Sequence, residues 1–188
     1  MRTFFASLIE VAEIAVVAIG AVYLIRTFLV QPFLVSGASM APNFSDGDYL
    51  LIDELTYRFR NPARGEIVVF HYPKDESTYF IKRVIGVPGD HVRISEGRVV
   101  LTTADHPEDT VLHEPYLASA IVTNTRPGTP ADFVLGADEY FVLGDNRSYS
   151  FDSRDWGFLA RNEIVGLARL RLWPFAGVTV FAAPQYGQ

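Results

Sequence analysis

The feature that most constrains this chain lies near its amino terminus, where Ile14 to Ile25 read IAVVAIGAVYLI without a charge. With Glu13 and Arg26 at its margins, the apolar character extends from about Val11 to Val35. A helix needs ~20 predominantly apolar residues to cross a bilayer, and long polar side chains near its ends can snorkel to the interface. Pro32 marks where such a helix stops. The expectation is a tail over residues 1–6 and a transmembrane signal anchor over residues 7–31. A buried core helix is one competing reading and a cleaved leader another. A leader, however, carries an apolar stretch of only ~7–15 residues before its cut site. Here the run is longer and flows directly into PFLVSGASM. Arg2 favours an inside amino terminus, and Arg26 beyond the run weakens that bias.

After Pro32 the texture changes to short β-type runs between turn signals. The runs are YLLID (49–53), EIVVFHY (66–72), TYFIKRVIGV (78–87), HVRIS (91–95), RVVLT (98–102), EYFVLG (139–144) and IVGLARLRLW (164–173). Ser45-Asp46-Gly47, Pro88-Gly89-Asp90, Glu96-Gly97 and Pro127-Gly128 punctuate them. No long amphipathic helix follows residue 35. These signals predict a mainly β domain of coiled antiparallel sheets, or a partly open barrel, preceded by one N-terminal transmembrane helix. Its core comprises residues 32–102 and 139–188, and the Asp-, Thr-, Pro- and Ala-rich stretch 103–138 reads as a loop-rich insertion.

Composition excludes several chemistries. A net charge of −6 with no basic stripe argues against a nucleic-acid surface. The absence of cysteine excludes thiol catalysis, disulfides and cysteine-ligated zinc. His71, His91, His106 and His113 show no helical ligand spacing, so neither a metal site nor a Ser-His-Asp triad leads, and no cofactor is expected. The sixteen basic residues are all Arg except Lys74 and Lys82. Arginine is effectively never deprotonated, whereas a buried lysine can become neutral. A base made from an amine therefore has two candidates, and Lys74 lies in the polar stretch PKDEST.

Three segments carry chemistry. Ser36-Gly37-Ala38-Ser39-Met40-Ala41-Pro42 is a turn of small residues closed by Met and Pro, open to a substrate chain; its serine is equally an ordinary turn residue. In Tyr79–Asp90, strand alternation puts Phe80, Lys82 and Val84 on one face. A lysine on an apolar face is desolvated, so its pKa falls from ~10.4 and the neutral amine can accept a serine proton. Snorkelling at a sheet edge, or pairing with a carboxylate, is the alternative. In Gly144–Arg154, four charges and three serines follow an apolar strand, as in a hydrogen-bonded supporting loop or a solvated hairpin.

Together, the order of an apolar span, SGxSMxP, RGEIVVF (64–70), FIKRVIGVPGD and GDNRxxSxDSR resembles type I signal peptidases. The resemblance implies a membrane-bound serine endopeptidase in the plasma membrane, single-pass, with its catalytic domain on the extracytoplasmic side. Its partners would be membrane lipid and the signal peptides of secretory preproteins, cut after small residues of A-x-A type. Ser39 would be the nucleophile and Lys82 the general base, a Ser-Lys variant of triad logic. Ser150 would bond and orient the amine, and Asp152 and Arg154 would support that loop, with Asp145 and Asn146 as structural members. Some members carry a serine two residues before the nucleophile; here Gly37 stands there. The oxyanion would then rest on the backbone N–H of Ser39, with a second donor unassigned. Phe33, Val35, Met40, Phe44, Phe80 and Ile81 are candidates for shallow substrate pockets, or equally for core. Two rivals remain at this point, a self-cleaving Ser-Lys repressor and an anchored β-domain without catalysis.

Overall fold

The computed structural model describes residues 10–21 and 30–184. Residues 10–21 form helix α1, and its Val11, Ile14, Val16, Val17 and Ile19 each keep 66–70% of their surface exposed. No helix among the described residues is long and apolar enough to cross a membrane. The span expected over 7–31 falls partly on residues outside the described set. Its last two positions, Val30 and Gln31, are extended backbone rather than helix, because they open a strand whose register runs through Pro32 opposite Leu51.

In chain order the strands are β1 (Val30–Leu34), β2 (Tyr49–Asp53), β3 (Ile67–Tyr72), β4 (Asp75–Gly86), β5 (His91–Ser95) and β6 (Arg98–Thr102). They continue with β7 (Thr110–Val111), β8 (Asp132–Val134), β9 (Glu139–Leu143), β10 (Leu159–Ala160), β11 (Ile164–Trp173) and β12 (Thr179–Val180). Two single-turn helices, α2 (Thr56–Phe59) and α3 (Ser153–Trp156), interrupt them. One sheet has the order β1-β2-β11-β3-β4-β9-β10, with β12 added to β11; every pairing is antiparallel. Its outer strands β1 and β10 do not pair, so the domain is mainly β and open, not a closed barrel. A second sheet, β7-β6-β5-β8, draws β7 and β8 from the 103–138 stretch.

Period-2 burial explains these elements. Val92 and Ile94 of β5 are buried while their neighbours are not, and the two-residue Glu96-Gly97 turn, both at positive φ, returns the chain with Ser95 opposite Arg98. On β4, Phe80 and Val84 join one apolar cluster with Val68, Phe70 and Trp156, while Ile81 faces another. Lys82 shares the Phe80–Val84 face by the same alternation. Beneath the loop joining β1 and β2, Met40, Phe44, Leu50, Ile52, Ile67 and Val69 form that second cluster. A third, around Ile85, Val92, Phe133 and Phe141, ties the two sheets together.

Candidate active site

The β1–β2 loop carries Ser39, and backbone bonds pin it at both ends. Val35 N–H donates to Asp48 O at 2.9 Å and Gly47 N–H to Val35 O at 3.0 Å. Phe44 N–H donates to Met40 O at 3.0 Å, a helix-like turn that puts positions 40 and 44 on one side. That side faces inward, and Met40 and Phe44 are 1% and 0% exposed. Burial of these two side chains seats the loop on the apolar cluster beneath Ser39. From the opposite side Asn146 grips the loop twice, N–H to Ser39 O at 3.0 Å and Nδ2 to Ala38 O at 3.0 Å.

Lys82 reaches this loop from the middle of β4. Its side chain is 3% exposed, and Nζ donates to Ser39 Oγ at 2.8 Å and to Ile81 O at 2.9 Å, with the Phe80 ring centre 5.2 Å away. Burial pushes the amine down to about 8, and the carboxylates of Asp152 and Asp145 pull the other way. An amine so placed is neutral in a useful fraction near neutral pH and lies within proton-transfer distance of a serine hydroxyl.

The pair opens on a cleft of about 350 Å³ between the β1–β2 loop and β4. Phe33, Val35, Phe80 and Ile81 line it, as do Leu50, Val69, Tyr79, Tyr149 and Phe151. Met40 and Phe44 do not; they belong to the core below the loop. Their adjacency to Ser39 in sequence is outweighed by the turn that points them inward.

The 144–154 loop is held by ions. Asp145 accepts from Arg83 Nε at 2.8 Å and Nη2 at 2.7 Å, and Arg154 donates Nε to Asp152 Oδ1 and Nη2 to Asp152 Oδ2, both at 2.8 Å. Asp152 also caps α3 and accepts the Gly144 N–H at 3.0 Å. Arg147 is paired with Glu114 and donates to Thr123 Oγ1, and Arg154 Nη1 donates to Asn124 O at 2.8 Å. Ser150 is buried, and its Oγ has no hydrogen-bond partner among the described residues, so no bond joins it to Lys82 here. It packs so tightly on Gly144 that a Cβ there would overlap both the Ser150 side chain and the Ser39 carbonyl oxygen. Only glycine permits that approach.

Gly37 stands at φ +90° and donates its N–H to Asp46 Oδ1 at 2.7 Å, which removes that N–H as a donor toward the cleft. Glu114, Thr123 and Asn124 were not legible as site residues, since their only signal was polarity in a loop. Among the described residues no group of His, Asp and Glu could hold a metal ion.

This geometry belongs with a sequence match over most of the chain. The profile of the family described as signal peptidase, peptidase S26, matches residues 8–173. A probable signal peptidase I-2 of Synechocystis sp. is 38% identical over 88% of this chain and 73% of its own. Signal peptidase IB of Staphylococcus aureus is 31% identical over 85% of this chain and 86% of its own. A crystal structure of a signal peptidase I from Enterococcus faecalis V583, at 31% identity, overlaps 57% of this chain and 97% of its own with a TM-score of 0.45. The chain belongs to the signal peptidase I family, the S26 serine peptidases.

Proposed function

We propose that this chain is a membrane-anchored endopeptidase that removes N-terminal signal peptides from exported preproteins, with Ser39 as nucleophile and Lys82 as general base. The observation that carries the reading is the 2.8 Å contact between Ser39 Oγ and Lys82 Nζ at the edge of an apolar cleft. In the deprotonated state the Lys82 amine takes the Ser39 proton as Oγ attacks the scissile carbonyl. The ammonium then gives that proton to the leaving amine, and the signal peptide stays as an ester on Ser39. Water, deprotonated by the same amine, attacks the ester and releases the peptide's new carboxylate. Among the described residues no acceptor takes the Ser39 N–H, which leaves it free to bind the oxyanion. Ser150 keeps the role the resemblance gives it: its buried hydroxyl, one glycine from the Ser39 carbonyl, steers the amine once substrate arrives.

The bulky Phe33, Val35, Phe80 and Ile81 walls support a preference for small side chains near the cut, as in A-x-A. The exposed apolar side chains of α1 support a membrane anchor; the single pass through the plasma membrane, with the β domain on the extracytoplasmic side, follows from the resemblance. Purified in detergent micelles, Ser39→Ala and Lys82→Ala are each expected to lose cleavage of a preprotein by at least ~10³-fold while keeping the wild-type melting transition. Wild-type turnover in either variant would rule out the dyad. Recovery of the chain in the soluble fraction without detergent would rule out the anchor.

A further inference from the structure

One residue on the nucleophile's loop meets three other segments at once, two through its side chain and one through its main chain. Asn43 Nδ2 donates to Asp145 Oδ2 at 2.8 Å and to the main-chain carbonyl of Tyr116 at 3.1 Å. The Asn43 main-chain carbonyl accepts from Arg171 Nη2 of β11 at 2.9 Å. A carboxamide has two N–H donors, and both are in use. One goes to a buried carboxylate, the stronger kind of acceptor. Asp145 in turn is gripped through both oxygens by Arg83, the residue after Lys82 on β4. The path Arg83–Asp145–Asn43 therefore runs from the base's strand to the loop of the nucleophile and bypasses the Ser39–Lys82 contact itself. Tyr116 closes it from outside: the Arg83 guanidinium lies 3.8 Å from the centre of its ring, while its carbonyl holds Asn43.

We infer that Asn43 is a positioning residue that sets the Ser39–Lys82 separation through Asp145 and Tyr116, so that the 103–138 segment, which supplies Tyr116, bears on the rate. The inference rests on the Ser39–Lys82 reading above. Asn43 does not line the substrate cleft, so it acts on turnover and not on substrate binding. A displacement of ~1 Å between reacting groups can lower a rate by ~10²-fold.

The test uses the full chain in detergent micelles, with a preprotein substrate, and compares kcat, KM and melting temperature for Asn43→Ala, Asn43→Asp, Asp145→Ala and the double Asn43→Ala/Asp145→Ala. Asn43→Ala is expected to lower kcat by roughly 10–100-fold with KM within about twofold of wild type. Asn43→Asp sets a second carboxylate against Asp145, and the acid limb of its kcat profile moves to higher pH because added negative charge favours the Lys82 ammonium. The double variant is expected to be no slower than Asp145→Ala alone, since one path is cut twice. A folded Asn43→Ala enzyme with wild-type kcat would overturn the inference, as would losses that multiply in the double variant. Should Asn43→Ala not fold, Asn43→Ser, which keeps one donor, takes its place under the same criteria. Ser39→Ala run alongside separates the two failures. Full activity there sinks the dyad reading, whereas a dead Ser39→Ala beside a normal Asn43→Ala sinks only the role of Asn43.

Discussion

The two loops that meet at Ser39 are built on opposite principles. The nucleophile's loop, residues 35–48, is seated by apolar side chains, with Met40 and Phe44 almost wholly buried among Leu50, Ile52 and Val69. The 144–154 loop is seated by buried ion pairs, Arg83–Asp145, Arg147–Glu114 and Arg154–Asp152, whose side chains are between 0% and 10% exposed. An apolar seat fails by degrees, since each lost methylene removes a little contact. An ionic seat fails abruptly, since removing one partner strands the other as an uncompensated buried charge. The ionic design also reaches the chemistry. Asp152 and Asp145 both draw Lys82 toward its charged form against the effect of burial, so their arginine partners limit how much of that pull the amine feels.

The largest break in the comparison is therefore Arg154→Met. It removes both bonds to Asp152 and the bonds to the Asn124 and Arg147 carbonyls. Loss of one partner of a buried pair is worth about 3–5 kcal/mol of stability. The unmasked Asp152 also moves the acid limb of activity to higher pH. Chemical denaturation and a kcat–pH profile check the two halves, and an unaltered profile would detach this loop from the amine.

On the apolar side, Met40→Ala is expected to cost ~2–5 kcal/mol by leaving a cavity beneath Ser39. Unlike Arg154→Met, it leaves the Lys82 titration where it is, because no charge near the amine has changed. Urea melts and the same pH profile test this. A shifted acid limb in Met40→Ala would erase the distinction between the two seats.

How much of this was legible depended on range. The long strands were, because alternation and turn residues are local, and β2, β5, β6 and β11 begin and end where those signals do. The strand β1 was masked by the apolar run before it, and only its pairing with β2 shows that Val30 is extended. β7 and β8 are two and three residues long, too short to carry a period. Ser39 and Lys82 stood out through motif order along the chain. Their supports were legible only on one side: Asp145 and Arg147 lie in the GDNR motif, but their partners Asn43, 102 residues from Asp145, and Glu114, 33 from Arg147, are unremarkable polar residues until the fold closes. The direction of Met40 and Phe44 was hidden for another reason, since the single Met40–Phe44 turn is too short to carry a period.

Between the two seats lies Lys82 itself, whose burial sets its own pH dependence. The sign for activity follows from the base needing its neutral form: turnover rises as pH climbs through about 8 and falls below it. Stability runs on the same difference. The folded amine titrates near 8 against 10.5 when free, so the folded state resists the charged form. That penalty is fully present below about 8 and fades toward 10.5, where the unfolded chain also loses its proton. Lys82→Met, dead as an enzyme, is thus expected to be more stable than wild type at pH 7, by roughly 3 kcal/mol at ~1.4 kcal/mol per pH unit. The gain should shrink above pH ~8. Melts across pH measure it, and a constant difference would place the amine outside the buried setting.

The smallest effect sharpens the comparison most, because it concerns the same Arg–Asp chemistry in an exposed setting. Arg169 pairs with Asp53 at 3.0 Å, much as Arg154 pairs with Asp152 at 2.8 Å, but its side chain is 47% exposed against 6%. Asp53 does not depend on it, since the carboxylate also accepts from the Leu55 and Thr56 N–H groups and the Thr56 hydroxyl at the start of α2. Water takes the place of the guanidinium in Arg169→Gln, so the loss is expected to stay within ~0–1 kcal/mol and to vanish at high salt. Denaturation of Arg169→Gln and Arg154→Met side by side, at low and high salt, compares loss of an exposed Arg–Asp pair with loss of a buried one. Equal losses would mean that the 144–154 loop owes its rigidity to something other than desolvated charge.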